Sequence, residues 1–240
     1  MTTSALLPTG TPFRVAMLVF PGITQLDLTG PHEVFTRVRG VTVNLVWKHR
    51  EPLRSAGGLL LQADATFDDC RSADLLCIPG GPGHVELLND AQTLDWIRAV
   101  ASTAAWVTSV CTGSIVLGAA GLLRGYRATT HWGSLDALPL LGATAVEERV
   151  VFDRNRVTGA GVTSGMDFAL AMVSRLWGEP VAQVAQLSLE YDPQPPLAAG
   201  SPHTAPPEIV ARLRSLMSSY RDRVMSAAAE AAKRFPEIPR

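Results

Sequence analysis

Three apolar runs, RVAMLVF (14–20), ADLLCIPGG (73–81) and AWVTSV (105–110), each stop at a turn of small residues or proline and lead into a segment of helical character. A strand, tight turn and helix repeated in this way build a mainly parallel sheet covered by helices on both faces. VTVNLVW (41–47) reads as another strand, and GLLLQADATF (58–67) as a strand with its connection. RATTHW (127–132) and ATAVEERVVFD (143–153) read as later strands, followed by the turn RVTGAGVTSG and the helices MDFALAMVSRLWG and EPVAQVAQLSLEY. The expected class is therefore α/β. Binding sites in such folds lie beyond the carboxyl ends of the strands.

The same pattern divides the chain into a flexible leader (1–12), an α/β domain (13–191) and a C-terminal arm with its helix (192–240). Pro31 is the expected opening of the first helix, because proline suits a first helical turn. Six prolines between Asp192 and Pro207 exclude regular helix and imply an extended arm. Beyond it Ile209, Leu213, Leu216, Met217, Tyr220 and Val224 fall on one face of a single helix, which would dock on its own domain or on a partner subunit.

A formal charge of −1 with 18% charged residues gives no general attraction to nucleic acid or to an anionic membrane. No stretch reads as a secretory signal or a membrane span. The cysteines, Cys70, Cys77 and Cys111, are odd in number and lack metal-ligand spacing, so a cytoplasmic protein without a bound metal is expected. Cys77 sits among apolar neighbours and reads as a buried structural thiol. Cys70 has no role that the sequence suggests.

Chemistry gathers at VTSVCTGSIVLGAAG (107–121). Cys111 falls at the turn from strand to helix, where unpaired N–H groups and the positive end of the helix dipole favour a thiolate and would lower the thiol pKa. Thr112 supplies a hydroxyl beside it, and Gly113 leaves room for a tight turn. A buried, inert cysteine is the alternative. Asp27, just after the first strand, either caps the helix near Pro31 or faces the sulfur as its proton carrier. The glycine turn 78–83 lacks the lysine of a phosphate loop. Its N–H groups, at Gly81 and Gly83, are candidates for stabilising developing negative charge, or the turn is simply a tight connection. His84 reads as a surface residue of the next helix. His131 is either a base for the thiol or a hydrogen-bonded structural residue.

QLDLTGPHEV, CIPGGPG, VTSVCTGSIVLGAAGLLRG, RATTHW, VTGAGVTSGMDFAL and LEYDPQPPLAAGSPHTAP resemble the DJ-1/PfpI superfamily, and within it the isonitrile hydratase family. The resemblance runs from about residue 13 to beyond residue 220. It implies a flavodoxin-like three-layer sandwich with the cysteine on a nucleophile elbow, a homodimer and no cofactor. It also implies Cys111 as nucleophile, Asp27 as its acidic partner and Thr112 as a polar neighbour in the pocket. Val162 stands where the family commonly has isoleucine and joins Gly81 and Gly83 as a candidate substrate-binding position. The implied reaction adds water to an isonitrile, R–N≡C, through a thioimidate and gives an N-substituted formamide. Ala160 departs from a run of three glycines typical of the family, and His84 from a small or apolar residue. A glyoxalase-like enzyme and a cysteine redox sensor are the rival readings; Asp27 and Thr112 argue against the first, whose members usually bring a glutamate and a histidine to the cysteine.

Overall fold

The computed structural model describes residues 6–235. The strands are β1 (Phe13–Leu18), β2 (Val41–Trp47), β3 (Leu53–Arg54), β4 (Leu60–Leu61), β5 (Ala65–Thr66) and β6 (Leu75–Ile78), then β7 (Trp106–Val110), β8 (Arg127–Ala128), β9 (Thr144–Ala145), β10 (Val150–Asp153) and β11 (Arg156–Gly159). Seven of them form one sheet in the order β10-β11-β7-β6-β1-β2-β5, parallel throughout except for the β10–β11 hairpin. The two remaining pairs, β3 with β4 and β8 with β9, are short ribbons.

All four residues of β6 are buried, which requires a helical layer over each face of the sheet. The helices are α1 (Gln25–Thr36), α2 (His84–Leu87), α3 (Ala91–Thr103), α4 (Gly113–Ala119) and α5 (Ala137–Leu140), then α6 (Ser164–Trp177), α7 (Glu179–Ser188), α8 (Pro207–Leu216) and α9 (Ser218–Ala232). One layer pairs α1 with α6, where Phe35 meets Phe168 edge to face with ring centroids 6.1 Å apart. The other layer is built by α2, α3, α4 and α5, with α9 packed on α2, α4 and α5. None of the helices among the described residues is long and apolar enough to cross a membrane.

The sheet order reverses at β1, which pairs with β2 on one side and β6 on the other. Crevices form at such switch points, outside the strand ends. The residues following β1, β6 and β7 are those of the candidate site, so three separate crossovers deliver them to one place.

Several local expectations are corrected. α1 begins at Gln25, six residues before Pro31, and Pro31 lies within the helix. Its missing N–H forfeits the bond to the carbonyl of Asp27 four residues earlier. The tight packing of α1 against α6 stabilises this turn regardless: a Cβ on Gly165 would lie 3.1 Å from Pro31 Cδ. Asp27 is thus in the first turn of α1 and caps nothing; Thr24 holds the N-cap position. The later strand segments are fragmentary, with only Arg127–Ala128 of RATTHW in a strand.

The single C-terminal helix is two, broken at Met217, and its apolar face is largely open in α8, where Ile209, Leu213 and Leu216 are exposed. In α9 Val224, Ala228 and Ala231 are buried instead. Of the leader, residues 1–5 lie outside the described residues, while the Leu7 N–H donates to the Leu176 carbonyl at 2.8 Å and its side chain packs on the core. The proline-rich segment carries no helix or strand and crosses the domain surface, where His203 Nε2 lies 3.0 Å from Glu147 Oε2.

Candidate active site

The β7–α4 turn holds Cys111 at φ +54°, a left-handed conformation that is uncommon for a residue with a Cβ. The surroundings over-determine it. Its N–H donates to the carbonyls of Gly159 and Ala160, at 3.1 and 2.8 Å, and its carbonyl accepts the hydroxyls of Thr130 and Ser114, at 2.9 and 3.2 Å. Strain held by so many partners is characteristic of sites where a side chain must be aimed. Gly113 lets the turn close, because a Cβ there would stand 1.9 Å from the Ile78 carbonyl oxygen at the end of β6.

Asp27 is fully buried. Its Oδ2 accepts the Gly80 N–H at 2.9 Å, and its Oδ1 has no hydrogen bond of ordinary geometry. The group it faces is the Cys111 thiol, and each perturbs the other's titration. Burial pushes the Asp27 carboxyl up to about 7, against the opposing pull of the Gly80 N–H and the thiol. Burial, and then the Asp27 charge, hold the Cys111 thiol well above its ordinary value. This corrects the expectation of a thiolate at a helix N-terminus: Cys111 is only 5% exposed, and a carboxyl beside it outweighs the favourable Thr112 N–H and hydroxyl. The resting pair is a buried thiol beside a carboxyl poised to take or hold one proton near neutrality.

Gly80 packs where these groups meet. A Cβ on it would lie 2.5 Å from the Thr112 nitrogen and 2.8 Å from Asp27 Oδ2, so only glycine permits the contact. Thr112, also buried, accepts the Gly81 N–H on Oγ1 at 3.0 Å. The Gly83 N–H goes to the Gly22 carbonyl at 3.1 Å. Both glycine N–H groups considered for an oxyanion role are therefore spent inside the fold; the turn knits β1, β6 and β7 together.

His131 and Val162 each lie within two residues of a group that holds the Cys111 backbone, Thr130 and Ala160 respectively. They line a cavity of about 430 Å³ with Trp132, Ala160 and His203, which neither Cys111 nor Asp27 reaches. Thr130 and Ala160 form its wall and hold the Cys111 backbone from the other side. His131 Nδ1 accepts the Gly133 N–H at 3.2 Å, and burial lowers its pKa.

Two residues at the site escaped the sequence reading. His84 is fully buried, not on the surface, and Tyr220 of α9 places its hydroxyl 3.3 Å from His84 Nδ1. The Tyr220 hydroxyl also interacts with the Thr112 hydroxyl and feels the charges of Cys111 and Asp27. A tyrosine on an apolar helix face and a histidine in an apolar turn are each a polar tip in need of a partner, the one signal that could have linked them. Cys77 is fully buried as expected, its thiol pushed up to about 12 by burial. Cys70 is buried too, and its carbonyl accepts the Trp96 indole N–H at 2.7 Å.

Comparison with known proteins places this arrangement. The chain is 53% identical over 201 residues to an isonitrile hydratase of Pseudomonas putida, covering 84% of this chain and 88% of that one. A crystal structure of a ThiJ/PfpI family protein from Pseudomonas syringae superposes with a TM-score of 0.90 at 44% identity, over 92% of each chain. Drosophila melanogaster DJ-1beta shares the fold alone, with a TM-score of 0.68 at 19% identity over 75% of this chain and 98% of its own. The DJ-1/PfpI family profile matches residues 13–175, from β1 into α6, a span that includes Asp27, the glycine turn and Cys111. The chain belongs to the DJ-1/PfpI family.

Proposed function

We propose that this protein is an isonitrile hydratase, adding water to R–N≡C to give R–NH–CHO with Cys111 as nucleophile and Asp27 as proton carrier. The observation that carries the reading is the buried Asp27–Cys111 pair, in a chain that shares 53% identity with an isonitrile hydratase over most of its length.

The chemistry suits the pair. An isonitrile carbon accepts a soft sulfur nucleophile and must also receive a proton. Attack forms the S–C bond while the thiol proton passes through Asp27 to the same carbon, giving the thioformimidate R–N=CH–S–Cys111. Water then adds to that carbon, and the proton it loses passes through Asp27 to the nitrogen, giving R–NH–CH(OH)–S–Cys111. Collapse breaks the C–S bond, with the hydroxyl proton returning to sulfur, and releases the formamide. A carboxyl held near 7 can both take and return a proton at neutral pH, the condition for serving both the attack and the hydration step. The neutral substrate needs no cationic clamp, and the pair needs no cofactor. A peroxide sensor is less well served, because a thiol both buried and raised in pKa is a poor target for oxidation. The expected result is formamide formation when purified protein meets an aryl isonitrile, followed by absorbance and mass; intact isonitrile after many hours would overturn the reading.

We also assign the protein to the cytoplasm, on its three unpaired cysteines. It acts as a homodimer in this reading. Val184 and Leu187 of α7, Leu197 of the arm and Leu216 of α8 are 68–82% exposed, large apolar side chains that a second copy would cover. Sedimentation is expected to give twice the chain mass for the wild type and to shift toward monomer for Leu187→Asp with Leu216→Asp; a monomeric wild type would contradict it.

A further inference from the structure

We propose that Tyr220 contacts the substrate in the Cys111–Asp27 site, donating a hydrogen bond from its hydroxyl to the nitrogen lone pair that develops as sulfur adds to the isonitrile carbon and that the thioimidate then carries, with His84 as the positioning residue that holds it there. The proposal rests on the hydratase reading and extends it to a helix beyond the 13–175 family match.

His84 sets the orientation of the phenol. Its Nδ1 lies 3.0 Å from the Gly81 carbonyl oxygen, an acceptor that can only receive, so Nδ1 carries the ring proton. Burial lowers the His84 pKa to about 4, which leaves the ring neutral with one proton. Nε2 is then the bare nitrogen, and it is buried without a partner. The Tyr220 oxygen, 3.3 Å from the same Nδ1, shares that N–H as an acceptor. Its own proton is consequently not spent on His84. The rings meet edge to face, with centroids 6.2 Å apart, which fixes the phenol in orientation as well as in position.

The chain of contacts leads directly to the sulfur. The peptide unit that accepts from His84 belongs to Gly81, whose N–H donates to Thr112 Oγ1 at 3.0 Å, and Thr112 is the residue after the nucleophile. In the resting protein the Tyr220 hydroxyl interacts with the Thr112 hydroxyl. A substrate bound to Cys111 carries a nitrogen lone pair that needs a donor. The glycine N–H groups of the adjoining turn are committed: Gly80 N–H to Asp27, Gly81 N–H to Thr112 and Gly83 N–H to Gly22. Tyr220 retains a donor. Burial raises its pKa to about 12, so it keeps its proton and polarises the nitrogen, while Asp27 moves the protons. α8 gives way to α9 at Met217, and α9 packs on α2 and α4 with Tyr220 in its first turn.

The test compares wild type, Tyr220→Phe, His84→Leu and His84→Asn for kcat and KM on an aryl isonitrile, with the rate of Cys111 alkylation by iodoacetamide measured on each. Tyr220→Phe is expected to lower kcat by about ten- to a hundredfold and to leave KM and the alkylation rate within about threefold. His84→Leu should fall similarly, and His84→Asn should recover most of that loss, because its side-chain N–H takes the place of Nδ1–H. A Tyr220→Phe kcat within about twofold of wild type overturns the proposal, as does an equal loss of alkylation, which would make Tyr220 a support for the sulfur. If wild type forms formamide and Tyr220→Phe is unaffected, this inference fails alone; if wild type forms none, the hydratase reading fails and takes it along.

Discussion

Cys111→Ala is expected to lower kcat for formamide formation by at least about 10⁴-fold and to leave the protein folded. The sulfur is the atom that bonds to substrate, so its loss removes the covalent route. The turn does not depend on it: Gly159, Ala160, Thr130 and Ser114 hold the backbone of residue 111, not its side chain. Alanine at φ +54° bears the same left-handed strain as cysteine. Turnover and the thermal midpoint, measured together, check both halves. A folded variant retaining more than about one hundredth of the activity would place the chemistry elsewhere.

Asp27→Asn is expected to lower kcat by about 10²- to 10⁴-fold, the usual loss when a general acid–base group is removed. Its pH signature is more specific. The wild-type kcat/KM should climb with pH and level off above about 7, as the buried carboxyl ionises and becomes able to take the thiol proton. In the variant that ascending limb should be absent.

The same residue carries a stability prediction of the opposite sign. Because burial raises the folded carboxyl from 3.8 to about 7, the folded state holds a proton that the unfolded chain has released across this window. Stability from this group is full below the unfolded value and is lost as pH rises through the folded one. The variant has no such loss, so its stability relative to wild type should increase between pH 4 and pH 8 by up to about 4 kcal/mol. Denaturant unfolding at the two pH values measures the difference; a relative stability independent of pH would mean that Asp27 is not held protonated by burial.

The sheet was legible because its central strands are continuous apolar runs: RVAMLVF, LLCI and WVTSV needed no tertiary information. Asp27 and Cys111 could be brought together from sequence for the same reason, since both follow strands whose ends share one edge. Pro31 misled the placement of α1, because a proline that usually opens a helix here sits inside one, supported by Gly165 of a distant helix. The charge state of Cys111 could not be read locally. Helix position argues for a thiolate, but the burial and carboxyl that oppose it arrive from elsewhere in the chain. For Gly81 and Gly83 the sequence leaves open an oxyanion role or a tight connection, and the partners that decide it, Thr112 and Gly22, come from other turns. His84 and Tyr220 lie 136 residues apart, and no periodicity joins them.

The central claim is that the reaction runs through a covalent bond between Cys111 and the isonitrile carbon. The most direct test is acid quenching of wild type during its first turnover with an aryl isonitrile, followed by mass analysis of the intact protein and of the peptide containing Cys111. The account predicts a transient adduct on Cys111 equal to the mass of the whole isonitrile, lost as formamide appears. Formamide produced in full with no adduct on Cys111 at any time, in a protein whose Cys111→Ala variant turns over as well, would contradict it.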